Sequence, residues 1–304
     1  MPTDEQLAFW RGNGYLALPG FFTPDEVDRV STLVEAIFRE PPSYLVVDNT
    51  VTGKRTRLAE LPADQRNPRT FKLNDLYLEH DEVRDLVLDA RVRPILAGLL
   101  GEKAVLCNTL NFEKGSQQPE HIDSLFMTPR TSGKLVATWI ALEDAHPDAG
   151  QLFYFPGSHT IPHYEFSDGS HHATDFELPK WHKYIRGKLE AGNYPREQFA
   201  AKKGDLFIWS ADLVHGGSPR TDPARTRRSL VSHYFAESDC RALKMNCVPI
   251  ADNAFWFKRE HPPLPGTLPL RQRVGRLLRR LGLYRGVKKL IGKRAALGLT
   301  DEAV

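Results

Sequence analysis

From Ala104 to Phe235 the chain is cut into short β-rich runs by Gly, Pro and Asp, and this punctuation limits the fold more than any other feature. The runs are AVLCNTLNFE, SGKLVATWIAL, GQLFYFPGSH, GDLFIWSADLVH and RRSLVSHYF. Strands that follow one another without a helical pattern between them argue for a sandwich or jelly roll and against βαβ units. One long interruption stands at about 160–203. It is rich in His, Asp, Gly and aromatics, and a helix is expected near Trp181–Ala191. Loops of that length usually bind or cover something.

The first hundred residues carry the other period. Thr3 with Gln6 can cap a short helix over 4–11, and GYLALPGFF reads as a strand entering a turn. Thr23–Glu26, TPDE, is a capping box with proline at the first helical position, so a helix should run to about Phe38. Val27, Val30, Leu33, Val34, Ile37 and Phe38 repeat at helical spacing. Residues 41–70 read as a long surface excursion. Two further helices fit Asp81–Asp89 and Val92–Leu100, the second closed by Gly101. The division expected is a mostly helical part at 1–103, a strand core at 104–240 containing the insertion, and a C-terminal extension at 241–304.

Charge is distributed unevenly. Between Arg271 and Arg294 there are ten Lys or Arg and no acid, so a chain of net charge +3 carries −7 outside that stretch. The basic character belongs to one tail. No apolar run approaches the roughly 18 residues of a membrane span. The opening MPTDEQ lacks the basic and apolar regions of a secretory signal. Cys107, Cys240 and Cys247 form no CxxC pair and no even disulfide set, which suits a reducing cytoplasm.

The chemistry-bearing feature is His121-Ile122-Asp123. In extended chain, residues i and i+2 face one side, so an imidazole and a carboxylate can reach one ion. His215 follows GDLFIWSADLV and precedes Gly216-Gly217, which would let the chain turn beside a metal. Two histidines and one carboxylate form the facial triad of iron(II) oxygenases, which leaves three positions open. Pro162 argues against a helical metal pair at His159 and His163. His171 and His172 lie in a Gly- and Ser-rich loop, and His80, His146, His182 and His261 show no partner pattern.

QQPEHIDS, then TWIALEDAHPDAGQLFYFPGSH, then HGGSPRTDPARTRRSLVSHYF resembles the phytanoyl-CoA dioxygenase family, well over 70–238 and weakly over 5–40. The resemblance implies an α+β fold with a double-stranded β-helix (jelly-roll) core and N-terminal helices packed on it; the basic C-terminal helical tail, beyond the resemblance, is expected from its own charge and apolar spacing. It implies that His121, Asp123 and His215 bind Fe(II), and that Arg227 pairs with the far carboxylate of 2-oxoglutarate. Trp139 matches a cosubstrate-pocket tryptophan, and Lys72 in TFKLND matches a cosubstrate-contacting lysine. A guanidinium fork suits a buried carboxylate. Arg225, Arg227 and Arg228 all lie close, and alternation alone cannot choose among them: Arg227, Ser229, Val231 and His233 share one strand face, and Arg228, Leu230, Ser232 and Tyr234 the other. Gly217 stands where the family often has a hydroxyl residue, with Ser218 as the nearest substitute. PGSH at Pro156–His159 reads as a structural turn, and Trp209, Phe153 and Phe155 as core aromatics.

The implied activity is a dioxygenase that consumes 2-oxoglutarate and O2, releases succinate and CO2, and hydroxylates an unactivated carbon of a small-molecule or lipid-like substrate. Asp123 argues against halogenation, because halogenases of this kind need that coordination position open. Residues 41–70 and 160–200 are expected to wall the substrate. The alternative is a non-catalytic metal-binding or membrane-associated assembly protein with a vestigial oxygenase fold. For the tail 271–294, Val274, Leu277, Leu281, Tyr284 and Ile291 fall near one helical face among Lys and Arg, as in a helix drawn to anionic membrane at the inner face. Docking on the core or on a second subunit, as a homo-oligomer, competes with this. Nucleic acid ranks lower, since only Tyr284 offers stacking.

Overall fold

The computed structural model describes residues 1–173, 177–251, 254–264, 270–281, 283, 284, 286 and 287. The chain opens with α1 (Asp4–Asn13), β1 (Tyr15–Leu18) and α2 (Pro24–Arg39). Both helices start on reciprocal capping boxes, Thr3 with Gln6 and Thr23 with Glu26. Next come β2 (Val46–Asn49), β3 (Arg55–Arg57), β4 (Phe71–Asn74), α3 (Asp81–Val87) and α4 (Val92–Leu100). Gly101 caps α4 in the left-handed region at φ 72°. The strand core holds β5 (Ala104–Phe112), β6 (Leu135–Ala141), β7 (Leu152–Tyr154), α5 (Leu178–Ala191), β8 (Glu197–Phe199), β9 (Leu206–Ser210), β10 (His215–Gly217) and β11 (Ser229–Ala236). After it stand α6 (Glu237–Ala242), β12 (Cys247–Ala251), β13 (Ala254–Phe257) and α7 (Leu270–Arg280).

The large sheet runs β1-β9-β6-β11-β5-β4-β2-β3, and the small one β10-β7-β8. From β5 to β11 the chain keeps crossing between them. β5 is in the large sheet, and His121 bridges to β10 of the small one. β6 returns to the large sheet, β7 and β8 to the small, β9 to the large, β10 to the small and β11 to the large. This alternation is that of a jelly roll. Parallel pairing occurs where β13 lies along Ala104–Leu106 of β5.

The two-residue period decides which core each side chain enters. On β6, Val136 and Ile140 meet the helices, while Ala137, Trp139 and Ala141 face between the sheets. Leu206 and Ile208 on β9 take the helix side, and Phe207 and Trp209 the interior. From α2, Val27, Val30, Val34, Ile37 and Phe38 complete the helix-side core. Each such side chain, fully buried, contributes about 1.5–3 kcal/mol. Helices and sheet are thus one packed unit.

Two expectations need correction. Residues 41–70 are not only a surface excursion. Leu45, Val46 and Val47 are fully buried, and β2 and β3 extend the large sheet beyond β4. Among its described residues, the insertion at 160–203 does not wall the cavity described below. Its Ile161, Phe166, Trp181, Ile185 and Leu189 pack on Ile122, Phe153, Phe155 and Val214, behind the small sheet. Much of the tail, Ile291 included, lies outside the described residues. Among those described, Leu270, Val274, Leu277, Leu281 and Leu283 are exposed, and no helix is long and apolar enough to cross a membrane.

Candidate metal centre

His121 and His215 exchange backbone hydrogen bonds of 2.9 and 3.0 Å, an antiparallel bridge that sets their side chains side by side. Alternation then sends Ile122 and Val214 backwards into the insertion's core, while His121, Asp123 and His215 face between the sheets. Val214 N–H donates to Ser158 Oγ at 2.9 Å, so the PGSH turn buttresses the distal ligand. Gly216 and Gly217 serve a different purpose from the turn expected of them, since neither has positive φ. A Cβ on Gly216 would stand 2.7 Å from Gln118 O, and one on Gly217 2.7 Å from Ser116 Oγ. Their bareness lets the segment 116–118 cross β10 closely.

The three ligand atoms lie within 4.8 Å of one another. His121 Nδ1 meets Pro119 O at 2.9 Å, and His215 Nδ1 meets Leu213 O at 2.9 Å. A carbonyl only accepts, so each Nδ1 carries the proton and each Nε2 is free to bind an ion. Those Nε2 atoms stand 3.8 and 3.7 Å from Asp123 Oδ1. Burial, aided by His215, pushes His121 down to about 4, which keeps it neutral and ligand-ready near pH 7. Burial alone would raise Asp123, but His215 and His233 overcome it and hold the carboxyl well below the usual range. Its second oxygen accepts from Trp209 Nε1 at 2.8 Å and lies 3.4 Å from His233 Nε2. One oxygen is thereby held by protein and the other left for an ion.

Arg227 enters the same cavity and Arg228 does not. Arg227 is 4% exposed and donates through Nη1 to Gly150 O at 2.7 Å, but its buried Nε has no partner. Its guanidinium lies 5.7 Å from the centre of the Trp139 ring, whose own N–H is buried and unpartnered. Burial, with Arg220 nearby, pushes Arg227 down to about 10, so it stays charged at neutral pH. Arg228 turns out to Glu113, Glu143 and Glu35. Lys72 lines the cavity while ion-paired with Asp48 at 3.2 Å. Lys72 and Ser229 both register with Phe112, from opposite edges of β5, so Lys72 and Arg227 stand at one end of it. Ser218 Oγ faces away, toward Arg196 and Gln198, and Ser116 is the hydroxyl that lines the cavity.

The triad, Arg227, Trp139 and Lys72 share one cavity of about 600 Å³. Of the two expected walls, 41–70 supplies Arg55 and 160–200 supplies nothing among the described residues. Arg259 and Pro262, from beyond β13, line it instead. Trp209 and His233 escaped the sequence reading. Trp209 has the look of any core aromatic, and for His233 the only signal was its shared strand face with Arg227.

The donor set suits a divalent iron, and a buried guanidinium with an unpartnered N–H suits an anion beside it. Comparison with known proteins agrees. Residues 10–229 match the family described as phytanoyl-CoA dioxygenase (PhyH). The peroxisomal phytanoyl-CoA dioxygenase of Mus musculus is 24% identical over 266 residues, covering 80% of this chain and 71% of its own. Among solved structures, the non-heme alpha-ketoglutarate-dependent carbocyclase SnoK of nogalamycin biosynthesis superposes with a TM-score of 0.59 at 18% identity, over 87% of this chain and 94% of its own. The epimerase SnoN, solved with Fe3+, alpha-ketoglutarate and nogalamycin RO, gives 0.58 at 21% identity, over 87% and 96%. At such identities the structures establish a shared fold, and the family match goes further. With 220 of its 304 residues inside that match, the chain belongs to the phytanoyl-CoA dioxygenase family.

Proposed function

We propose that this Fe(II)- and 2-oxoglutarate-dependent dioxygenase hydroxylates an unactivated carbon of a small-molecule or lipid-like substrate, with release of succinate and CO2. The observation that carries the reading is Arg227: a buried cation with an unpartnered N–H, in one cavity with His121, Asp123 and His215. Burying a charge without a counter-charge is expensive, so such a residue implies an anion that completes it. The three ligands would hold iron on one face. With 2-oxoglutarate and O2, the bound metal supplies an oxidant able to break an unactivated C–H bond.

The protein's own part is binding, orientation and exclusion of water. Arg227 would grip the far carboxylate of the cosubstrate through its fork, with Trp139 as a wall and Lys72 at the same end. Ser116, in the place a side chain on residue 217 would take, would supply the hydroxyl contact. The apolar interior around Leu152, Phe207 and Trp139 keeps that end dry. Three free cysteines fit a reducing cytoplasm.

The test is anaerobic addition of 2-oxoglutarate to the Fe(II) protein, followed by a substrate screen that reads succinate and product mass. A charge-transfer absorbance band and a product one oxygen heavier are expected. Iron binding with no 2-oxoglutarate band would favour a vestigial, non-catalytic protein. A second reading concerns α7 and the residue after it, where exposed Leu270, Val274, Leu277 and Leu281 repeat at helical spacing in a basic sequence. This supports peripheral contact with anionic membrane. Deleting residues 271–304 should weaken sedimentation with anionic vesicles, most at low salt, and leave the band unchanged. Equal sedimentation by both forms would remove the lipid reading.

A further inference from the structure

A line of side chains joins the metal carboxylate to a segment beyond the family match, which ends at residue 229. His233 Nε2 lies 3.4 Å from Asp123 Oδ2, and His233 Nδ1 lies 3.0 Å from Asn108 Oδ1. Asn108 Nδ2 donates to Asp75 Oδ1 at 2.8 Å, and Arg259 Nη2 donates to Asp75 Oδ2 at 2.7 Å. We propose that Arg259 is a positioning residue for the metal centre, acting through Asp75, Asn108 and His233 on Asp123. This rests on the triad being the metal site.

The backbone explains how the line is assembled. β13 runs parallel to β5 along Ala104–Leu106, so the chain leaving it travels toward Asn108. Tyr77 Oη donates to Phe257 O at 2.9 Å and pins that exit. β4 holds the same edge of β5 at Leu110–Phe112. Asp75 follows β4 with φ 57°, and its backbone N–H donates to Thr109 O at 2.7 Å, in the gap between the two strands. Arg259 therefore arrives where Asp75 waits.

Each link then fixes the next. Asp75 Oδ1 also accepts the Thr109 N–H at 3.2 Å, so the Asn108 amide must turn its NH2 toward Asp75 and its oxygen toward His233. An oxygen there orients the imidazole through Nδ1. Asp75 is 1% exposed and His233 4% exposed, and protein groups supply the contacts that hold them. His233 and Trp209 flank Asp123 Oδ2 and leave Oδ1 facing the two ligand histidines. Groups that orient a metal ligand in this way typically change metal affinity about 10- to 100-fold when lost.

The test is a double-mutant cycle read by Co(II) absorbance titration of the full-length apoprotein, with thermal melting in parallel. Arg259→Met should weaken Co(II) binding by about threefold to thirtyfold, the range seen when a remote residue modulates a site. Arg259→Lys should restore most of it, because one ammonium N–H can still reach Asp75. In a His233→Phe background the Arg259→Met effect should vanish, since the line is already cut. If His233→Phe does not fold, Asn108→Ala cuts the line midway and serves as the background. A strap that only stabilises the fold would lower the melting temperature and leave Co(II) affinity at the wild-type value. That result, or an equal loss in both backgrounds, would overturn the proposal. Absence of Co(II) binding by the wild-type protein would instead sink the metal-site reading itself.

Discussion

The insertion at 160–203 and the strap at 254–264 reach the metal centre from opposite sides. Trp181, Ile185 and Phe166 of the insertion press on Ile122 and Val214, the residues that alternate with the ligands. Arg259 and Pro262 of the strap face the cavity itself. The insertion is the longer, and its buried side chains contribute packing. The short strap contributes a charged side chain to the cavity lining. What separates them is the strand face each one meets, since neighbouring residues on one strand point to opposite sides of a sheet.

The largest effect that sharpens this contrast comes from two adjacent residues. Asp123→Ala should abolish iron binding and turnover while the fold persists, because a facial triad does not survive loss of its carboxylate. Ile122→Ala should do the reverse. It should lower stability by about 2–5 kcal/mol through the cavity left against the insertion, and the folded fraction should still bind about one iron. Iron stoichiometry and thermal melts of both variants decide it. Turnover by Asp123→Ala would break the site, and iron loss in folded Ile122→Ala would break the division between faces.

A smaller effect is expected from the next adjacent pair. Arg227→Ala should lower 2-oxoglutarate affinity by roughly 30-fold to several thousand-fold, from a loss of about 2–5 kcal/mol for truncating one partner of a buried charge pair. Arg227→Lys should recover little, since an ammonium cannot reproduce the fork. Arg228→Ala, which removes an outward ion pair with Glu113, should change affinity far less. Titration of the charge-transfer band in the three variants reads this directly. A larger loss in Arg228→Ala than in Arg227→Ala would reverse the assignment of faces.

Local rules made much of this legible. Capping boxes marked α1 and α2, and the i,i+2 spacing brought His121 and Asp123 to one side. The resemblance selected Arg227 where alternation left two registers, and the structure puts Arg228 among acids. What stayed hidden depends on strand neighbours far apart in sequence. Trp209, His233 and Arg259 meet Asp123 or Asp75 only because β9, β11 and β13 converge. Residues 41–70 read as a surface excursion because they carry Pro, Gly, Asn and many charges, yet pairing with β4 makes part of them strand. The insertion was expected to cover the substrate on length and composition, and neither of those specifies a side of the sheet.

The smallest effect belongs to the insertion's own latch. His163 Nε2 lies 3.0 Å from Asp212 Oδ1, and Ser124 Oγ donates to the same oxygen at 2.6 Å. The hydrogen bond to Asp212 raises the His163 pKa above its ordinary value, against the opposing effect of burial. A pKa raised by folding gives stability that is fully present below the unfolded value of about 6.5 and is lost as pH rises through the folded value. The insertion should therefore be held best in mild acid and released slightly on the alkaline side of neutrality. A partly exposed ion pair of this kind is worth about 0.2–1 kcal/mol. Wild type should melt above His163→Gln near pH 6, and the gap should close by about pH 9. Because the insertion's buried side chains pack behind the ligands, 2-oxoglutarate affinity in the two proteins should stay equal across that range. A gap that does not narrow with pH would remove the latch, and a parallel fall in cosubstrate affinity would show that the insertion reaches the cavity after all.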